Sequence, residues 1–135
     1  MSRTPEVLLR RVFDALGAAD VGALDELYTE DYVLELPYSK PSPVRVEGRD
    51  AVQAYLTAAF QTVRFVLTIT ELHELAAGGV VAEYTSEGQV LSTGRRYANT
   101  YVGLWRMRDE RISLTREFYD PMVAAEAFAA DGGTT

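Results

Sequence analysis

Three features of the 135-residue sequence predict an α+β fold. Up to Gln61 the apolar residues mostly recur at helical spacing. After Gln61 the chain turns rich in β-branched and aromatic residues, which favour strands. "AAGG", "STG" and "RDER" cut that second half into four strand-length pieces, as hairpin turns do. Helices followed by a run of hairpin strands put the helices on one side of an antiparallel sheet. The expected architecture is a cone-shaped α+β barrel: three N-terminal helices packed on a strongly curved antiparallel sheet, with a short C-terminal helix. A sheet curled around helices leaves a cone whose open mouth suits a small molecule.

Thr4, Pro5 and Glu6 open the first helix with a hydroxyl cap, a first-turn proline and an acid near the positive helix end. Leu8, Leu9, Val12, Phe13 and Leu16 form its apolar face, and Gly17 weakens its end. Asp20 caps a short second helix through "VGALDELY". In "DYVLELPYS", Tyr32, Leu34, Leu36 and Tyr38 share one face of a strand. "KPSPVRVEG" reads as a proline-containing loop. "RDAVQAYLTAAFQ" is the third helix, with Val52, Tyr55, Leu56, Ala59 and Phe60 on one side. The strands "RFVLTITELHEL", "VVAEYTSEGQVL", "RRYANTYVGLWRMR" and "ISLTREFYD" follow, and the proline of "PMVAAEAFAA" opens the last helix. With no internal repeat and no linker, one domain over residues 1–130 and a disordered tail at 131–135 are expected.

Composition narrows the functions. The balance of 47% apolar and 24% charged residues is that of an ordinary globular chain. Without cysteine there is no disulfide, thiolate metal site or thiol nucleophile. A formal net charge of −7, a single lysine (Lys40) and dispersed arginines disfavour a nucleic-acid partner. A Ser-His-Asp triad or a multi-histidine metal site would have to be built on His73 alone, so no metal is expected. There is no glycine-rich phosphate loop and no nucleotide or flavin signature, so no cofactor is expected. The apolar runs are too short to span a bilayer, and "MSRTPEVLLRR" lacks the apolar core and cleavage site of a signal peptide. The expectation is a cytoplasmic protein with no membrane partner.

"EGRDAVQAYL", "YANTYVGLWRMRDERI" and "REFYDP" resemble the nuclear transport factor 2-like superfamily, and more narrowly its SnoaL-like and ketosteroid-isomerase-like branch, which includes the phenazine biosynthesis A/B proteins. The resemblance covers nearly the whole chain in element order. It is sharpest at Tyr97 and Asn99, at Trp105-Arg106, and at Arg116-Glu117-Phe118 with Pro121. It implies the cone fold, a homodimer built through the outer sheet face, and a hydrophobic small-molecule ligand. It also implies a place in secondary metabolism among isomerases and polyketide cyclases. It does not name a reaction, because the superfamily hosts isomerases, cyclases, epoxide hydrolases, dehydratases and non-catalytic binders. The ketosteroid isomerase set of aspartate base, tyrosine and protonated aspartic acid falls by element position on Leu36, Phe13 and Gly103, all non-polar. A steroid isomerase of that mechanism is therefore not expected, and the Asp-Arg-Asp set of limonene epoxide hydrolases has no counterpart. The phenazine-type proteins use a glutamate in "REF" as an acid on the bound substrate, and Glu117 matches it. Their accompanying histidine lies around the third helix, where this chain has none; His73 sits in a later strand.

Strand alternation puts Ser113, Thr115, Glu117 and Tyr119 on one face and Ile112, Leu114, Arg116 and Phe118 on the other. By the resemblance, the Glu117 face looks into the cone. The preceding strand groups Tyr97, Asn99, Tyr101, Gly103 and Trp105. In "VVAEYTSEG", Val81, Glu83, Thr85 and Glu87 form one face and Ala82, Tyr84 and Ser86 the other. With the first-named faces turned inward, Glu117 and Asn99 are the expected catalytic residues. Tyr97, Tyr101, Tyr119, Glu83 and Trp105 are then the expected substrate contacts. Burial beside another acid raises a carboxyl pKa, and a carboxyl near ~7 serves as a general acid or base at neutral pH. Tyrosine hydroxyls and an asparagine amide would hold a carbonyl or enolate oxygen. The alternative placement pairs Glu117 with Arg106 or Arg116 at a sheet edge or dimer surface, with Glu83 and Glu87 on a solvated face.

Three functions fit these residues. The first is a cofactor-independent acid–base enzyme, an isomerase, cyclase or dehydratase acting on a hydrophobic carbonyl-bearing metabolite. The second is a non-catalytic ligand-binding or accessory protein of the same fold. The third is a dimeric interaction module whose sheet face is simply an interface.

Overall fold

The computed structural model describes residues 4–129; the expected disordered tail at 131–135 lies outside them. Helix α1, Pro5–Gly17, begins where the Thr4 hydroxyl accepts a hydrogen bond from the Val7 amide at 3.2 Å, and it buries Leu8, Leu9, Val12 and Phe13. The second expected helix is a short 3-10 turn instead, Val21–Glu26, capped by Asp20. Helix α2 spans Arg49–Ala59, and α3 spans Pro121–Phe128. The six strands are β1 (Tyr28–Leu36), β2 (Val44–Glu47), β3 (Val63–Glu74), β4 (Gly79–Val90), β5 (Arg96–Arg108) and β6 (Arg111–Tyr119).

The strands form one sheet in the order β2-β1-β6-β5-β4-β3. Strands β3 to β6 pair as the expected antiparallel hairpins. The sheet is not antiparallel throughout, however: β1 runs parallel to β6, with Leu34 opposite Thr115 and Glu35 opposite Arg116. The strands of that pair are far apart in sequence, so no turn signal announces their direction. Strand β2 lies inside the segment expected to be a loop. It is a four-residue edge strand paired with β1, a position where nearby prolines are tolerated because one side needs no ladder donors.

Curvature has local causes. A Cβ on Gly88 would lie 1.9 Å from the Arg64 carbonyl oxygen, so β3 and β4 approach more closely than any side chain allows. The pairing of β5 with β6 shifts register between Arg106 and Met107, as at a bulge, which re-aims side chains. Ile112 consequently joins the core instead of sharing the outer face with Arg116, as strict alternation had placed it. The tight turn before β6 holds both Asp109 and Glu110 at positive φ, 54° and 59°. Glu110 pays a left-handed penalty of roughly 1 kcal/mol there.

The main core lies between α1, α2 and the concave face, and includes Leu8, Leu9, Val12, Val52, Tyr32 and Trp105. A smaller cluster, Val63, Val90, Tyr97 and Ala127, sits under α3. The convex face carries ion pairs, Arg116 with Glu35 at 2.7 Å and Arg96 with Glu87 at 2.6 Å, and a hydrogen bond between His73 and Glu71 at 2.7 Å. Among the described residues, no helix is long and apolar enough to cross a membrane.

Candidate functional site

The helices and the concave face enclose a cavity of about 220 Å³. Its walls are almost wholly apolar and aromatic: Val12, Phe13 and Leu16 from α1, Tyr55, Leu56 and Ala59 from α2, and Trp105 from β5, with Ala124 and Phe128 of α3 at one side. Among the described residues, no arginine, lysine or histidine lines it, and Glu117 is the sole carboxylic acid.

Strand β6 aims Thr115, Glu117 and Tyr119 into this space. Arg116 and Phe118 take the other face, where Arg116 meets Glu35 and Phe118 meets Tyr38. Glu117 is therefore not the partner of an arginine at the sheet edge. The Tyr84 hydroxyl donates a hydrogen bond to Glu117 Oε1. No described residue donates to Oε2, which leaves that oxygen for whatever enters the cavity. Burial raises the Glu117 pKa to about 7, while the Tyr84 hydrogen bond pulls it back towards its ordinary value. The cause is desolvation: a carboxylate without a counter-charge in an aromatic enclosure holds its proton longer. No second acid is needed.

Tyr84 is the residue that the sequence reading missed. Strand alternation groups it on the face opposite Glu83, and the phase of β4 is the reverse of the expected one. Pairing with β5 places Tyr84 opposite Tyr101, Ser86 opposite Asn99 and Ala82 opposite Gly103. All three residues of β4 point inward and are buried. Glu83 consequently lies exposed on the convex face and is not a substrate contact. The sequence does carry a signal for this phase: the Glu83 face also holds Thr85 and Glu87, whereas Ala82, Tyr84 and Ser86 are uncharged, as a buried face requires.

Asn99 is buried on the inner face but does not line the cavity. Its amide is fully committed. Nδ2 donates to the Tyr97 hydroxyl and to the Asp120 carbonyl, both at 3.0 Å. Oδ1 accepts from the Thr100 amide at 2.8 Å and the Asp120 amide at 3.2 Å. Asp120 in turn caps α3 through the Met122 and Val123 amides. Asn99 thus clamps the start of α3, outside the cavity lining.

Tyr97, Tyr101, Tyr119 and Trp105 do line the cavity, as expected. Their rings serve as walls, but the hydroxyls of the first two are occupied. Tyr101 donates to Ser86 Oγ at 2.8 Å, and Tyr97 and Tyr101 share a hydrogen bond of 3.0 Å. Because the Tyr101 proton goes to Ser86, Tyr97 must donate to Tyr101 while it accepts from Asn99. Neither proton remains for a substrate oxygen. Tyr55 and Tyr119 also face the cavity, and their hydroxyls bond no other described residue. Trp105 lies across Gly103: a Cβ there would fall 2.3 Å from Trp105 Cη2. The position that carries an acid in ketosteroid isomerases is thus filled by an indole.

The SnoaL-like domain family model matches residues 9–115. The uncharacterised protein YesE of Bacillus subtilis is 31% identical over 123 residues, 89% of this chain and 84% of that protein. An uncharacterised PhzA/B-like protein of Pseudomonas aeruginosa is 33% identical over 106 residues, 76% of this chain and 74% of that protein. The crystal structure of a candidate isomerase from Bacillus subtilis superposes with a TM-score of 0.85 at 30% identity, covering 96% of this chain and 94% of that one.

Proposed function

The chain belongs to the SnoaL-like domain family, of nuclear transport factor 2-like fold, and on that premise we propose that it is a cofactor-independent acid–base enzyme. It isomerises, cyclises or dehydrates a hydrophobic, carbonyl-bearing metabolite. One observation carries the reading: a carboxyl enclosed by aromatic rings, with one oxygen held by Tyr84, the other open to the cavity, and a pKa of about 7. Such a group is half protonated at neutral pH, the poise at which proton transfer in either direction is efficient. Glu117 removes a proton beside the carbonyl and returns it at a second carbon, or protonates a leaving oxygen. The Tyr119 and Tyr55 hydroxyls, which belong to residues lining the same cavity, would hold the oxygen on which charge develops.

The cavity limits the substrate. Its volume of about 220 Å³ falls below the roughly 300–1,000 Å³ of sites for drug-sized molecules. A single ring or a compact bicyclic skeleton fits, and a tetracyclic steroid does not. A homodimer through the convex face belongs to the same reading, supported by Val102 and Val66 exposed there. So do a cytoplasmic location, a single domain over residues 1–130 and a role in secondary metabolism.

The test is hydrogen–deuterium exchange of compact cyclic ketones in deuterated water, followed by proton NMR. The enzyme reading expects exchange beside the carbonyl that rises as pH passes through about 7. Glu117→Gln should cut it roughly a hundredfold or more while ketone affinity stays. Exchange at the buffer rate across the panel, or a variant as fast as the parent, refutes it. The almost wholly apolar wall, with the Tyr97 and Tyr101 hydroxyls already engaged, favours the second reading, a ligand-binding protein without turnover. That reading predicts ketone binding with no exchange.

A further inference from the structure

When ionised, Glu117 is a negative charge that no cation among the described residues balances inside the cavity. The arginine beside it in sequence, Arg116, is turned to the convex face and engaged by Glu35. No cation among the described residues lines the cavity. A buried carboxylate is costly unless a partner neutralises it, and if the protein supplies none, a ligand can. The walls suit such a ligand. Tyr28, Tyr32, Tyr101, Tyr119 and Trp105 make the wall of the cavity that Glu117 enters largely aromatic. Aromatic faces attract organic cations, most strongly where water is excluded. The net charge of −7 favours the approach of cations over anions.

We propose that the cavity also binds small hydrophobic amines as ammonium ions, with the N–H directed to Glu117 Oε2 and the carbon skeleton against the aromatic walls. This goes beyond the proposed reaction. It rests on Glu117 facing the cavity and not on turnover. It divides the ligands of the site into two classes according to the state of the carboxyl. A neutral carbonyl compound can take its hydrogen bond from the Tyr119 or Tyr55 hydroxyl and does not need the carboxyl to be ionised. An ammonium ion is held by the carboxylate, which accepts one.

The two classes should respond differently to pH. The other titratable groups around Glu117 are tyrosines: Tyr28 and Tyr32 from β1, Tyr55 from α2, Tyr84 from β4, Tyr97 and Tyr101 from β5, with Tyr119 beside it on β6. Burial raises the pKa of each of the first six. Those six stay neutral where Glu117 ionises. With Glu117 at about 7, the competent carboxylate is roughly a tenth of the population at pH 6 and nearly all of it at pH 8.5. Apparent amine affinity follows that fraction.

The experiment is isothermal titration of the whole protein with N,N-dimethylcyclohexylamine and with its near-isosteric ketone, acetylcyclohexane, at pH 6 and pH 8.5. Amine affinity should rise about tenfold between the two values, while ketone affinity holds or falls. Glu117→Gln, shown to be folded by circular dichroism, should bind the amine no better than the ketone and lose the pH dependence. Tyr84→Phe, which removes a hydrogen bond to the carboxylate, should move the midpoint of the amine response to higher pH. Amine binding that ignores pH, or that survives in Glu117→Gln, overturns the inference. Ketone exchange alongside pH-independent amine binding refutes this inference alone. Amine binding as predicted without any ketone exchange refutes the acid–base reading alone.

Discussion

Replacing Glu117 with glutamine should change how stability depends on pH more than it changes stability itself. The folded carboxyl has a pKa of about 7, against an ordinary value of 4.5. Between those values the native state holds a proton that the unfolded chain has released, so unfolding free energy falls as pH rises. The contribution is fully present below about 4.5 and lost as pH rises through about 7. A difference of about 2.5 units corresponds to about 3 kcal/mol in full, of which about 2 kcal/mol disappears between pH 5.5 and pH 8. Asp31, Glu35, Glu71 and Glu87 have lowered pKa values because arginines or His73 stabilise their ionised forms. Their contributions have the opposite sign and are lost at more acid pH, which the chosen window avoids. Urea unfolding of the parent and of Glu117→Gln at both pH values isolates the term, because the other groups are common to both. The parent should lose about 2 kcal/mol more than the variant across the window. Parallel losses in the two proteins would refute the assignment of a buried, proton-holding Glu117.

Tyr84→Phe should raise the Glu117 pKa further, since the lost hydrogen bond favours the ionised form; a pH–rate or binding profile should shift upward by about one unit. Asn99→Ala should cost about 1–3 kcal/mol by leaving buried partners unpaired, and hydrogen exchange should show α3 loosening before β6. Gly103→Ala should cost about 1–3 kcal/mol by overpacking, since its Cβ falls 2.3 Å from the Trp105 ring. Thermal melting and Trp105 fluorescence would detect that change, and a neutral result would mean that the indole does not lie over Gly103.

Much of this architecture is legible in the sequence, for identifiable reasons. Alternation groups Tyr97, Tyr101 and Trp105 on one face of β5, the resemblance turns that face inward, and all three are buried. The start of α1 follows from Thr4-Pro5-Glu6, which the structure uses as a cap. Two expectations fail for different reasons. Turning Glu83 inward also turns Glu87 to the core and leaves Tyr84 outside, and the pairing of Tyr84 with Tyr101 reverses that phase. The parallel pairing of β1 with β6 joins segments far apart in sequence and leaves no local mark. Asn99 illustrates a different limit. Its rarity in strands singled it out correctly, but the sequence does not show that Asp120 would return to consume its amide. Glu117 was placed through its resemblance to a known motif, and its raised pKa comes from burial alone, with no second acid.

The most direct test of the central claim is the titration of one carboxyl. Protein labelled with carbon-13 at the glutamate side-chain carboxyl, compared with Glu117→Gln, identifies the Glu117 resonance by difference. Its chemical shift should follow a single proton with a midpoint near 7. It should move lower when the amine is bound and higher in Tyr84→Phe. A midpoint at or below the ordinary 4.5, unmoved by either change, would mean that Glu117 is a solvated or ion-paired carboxylate, and the acid–base account would fail.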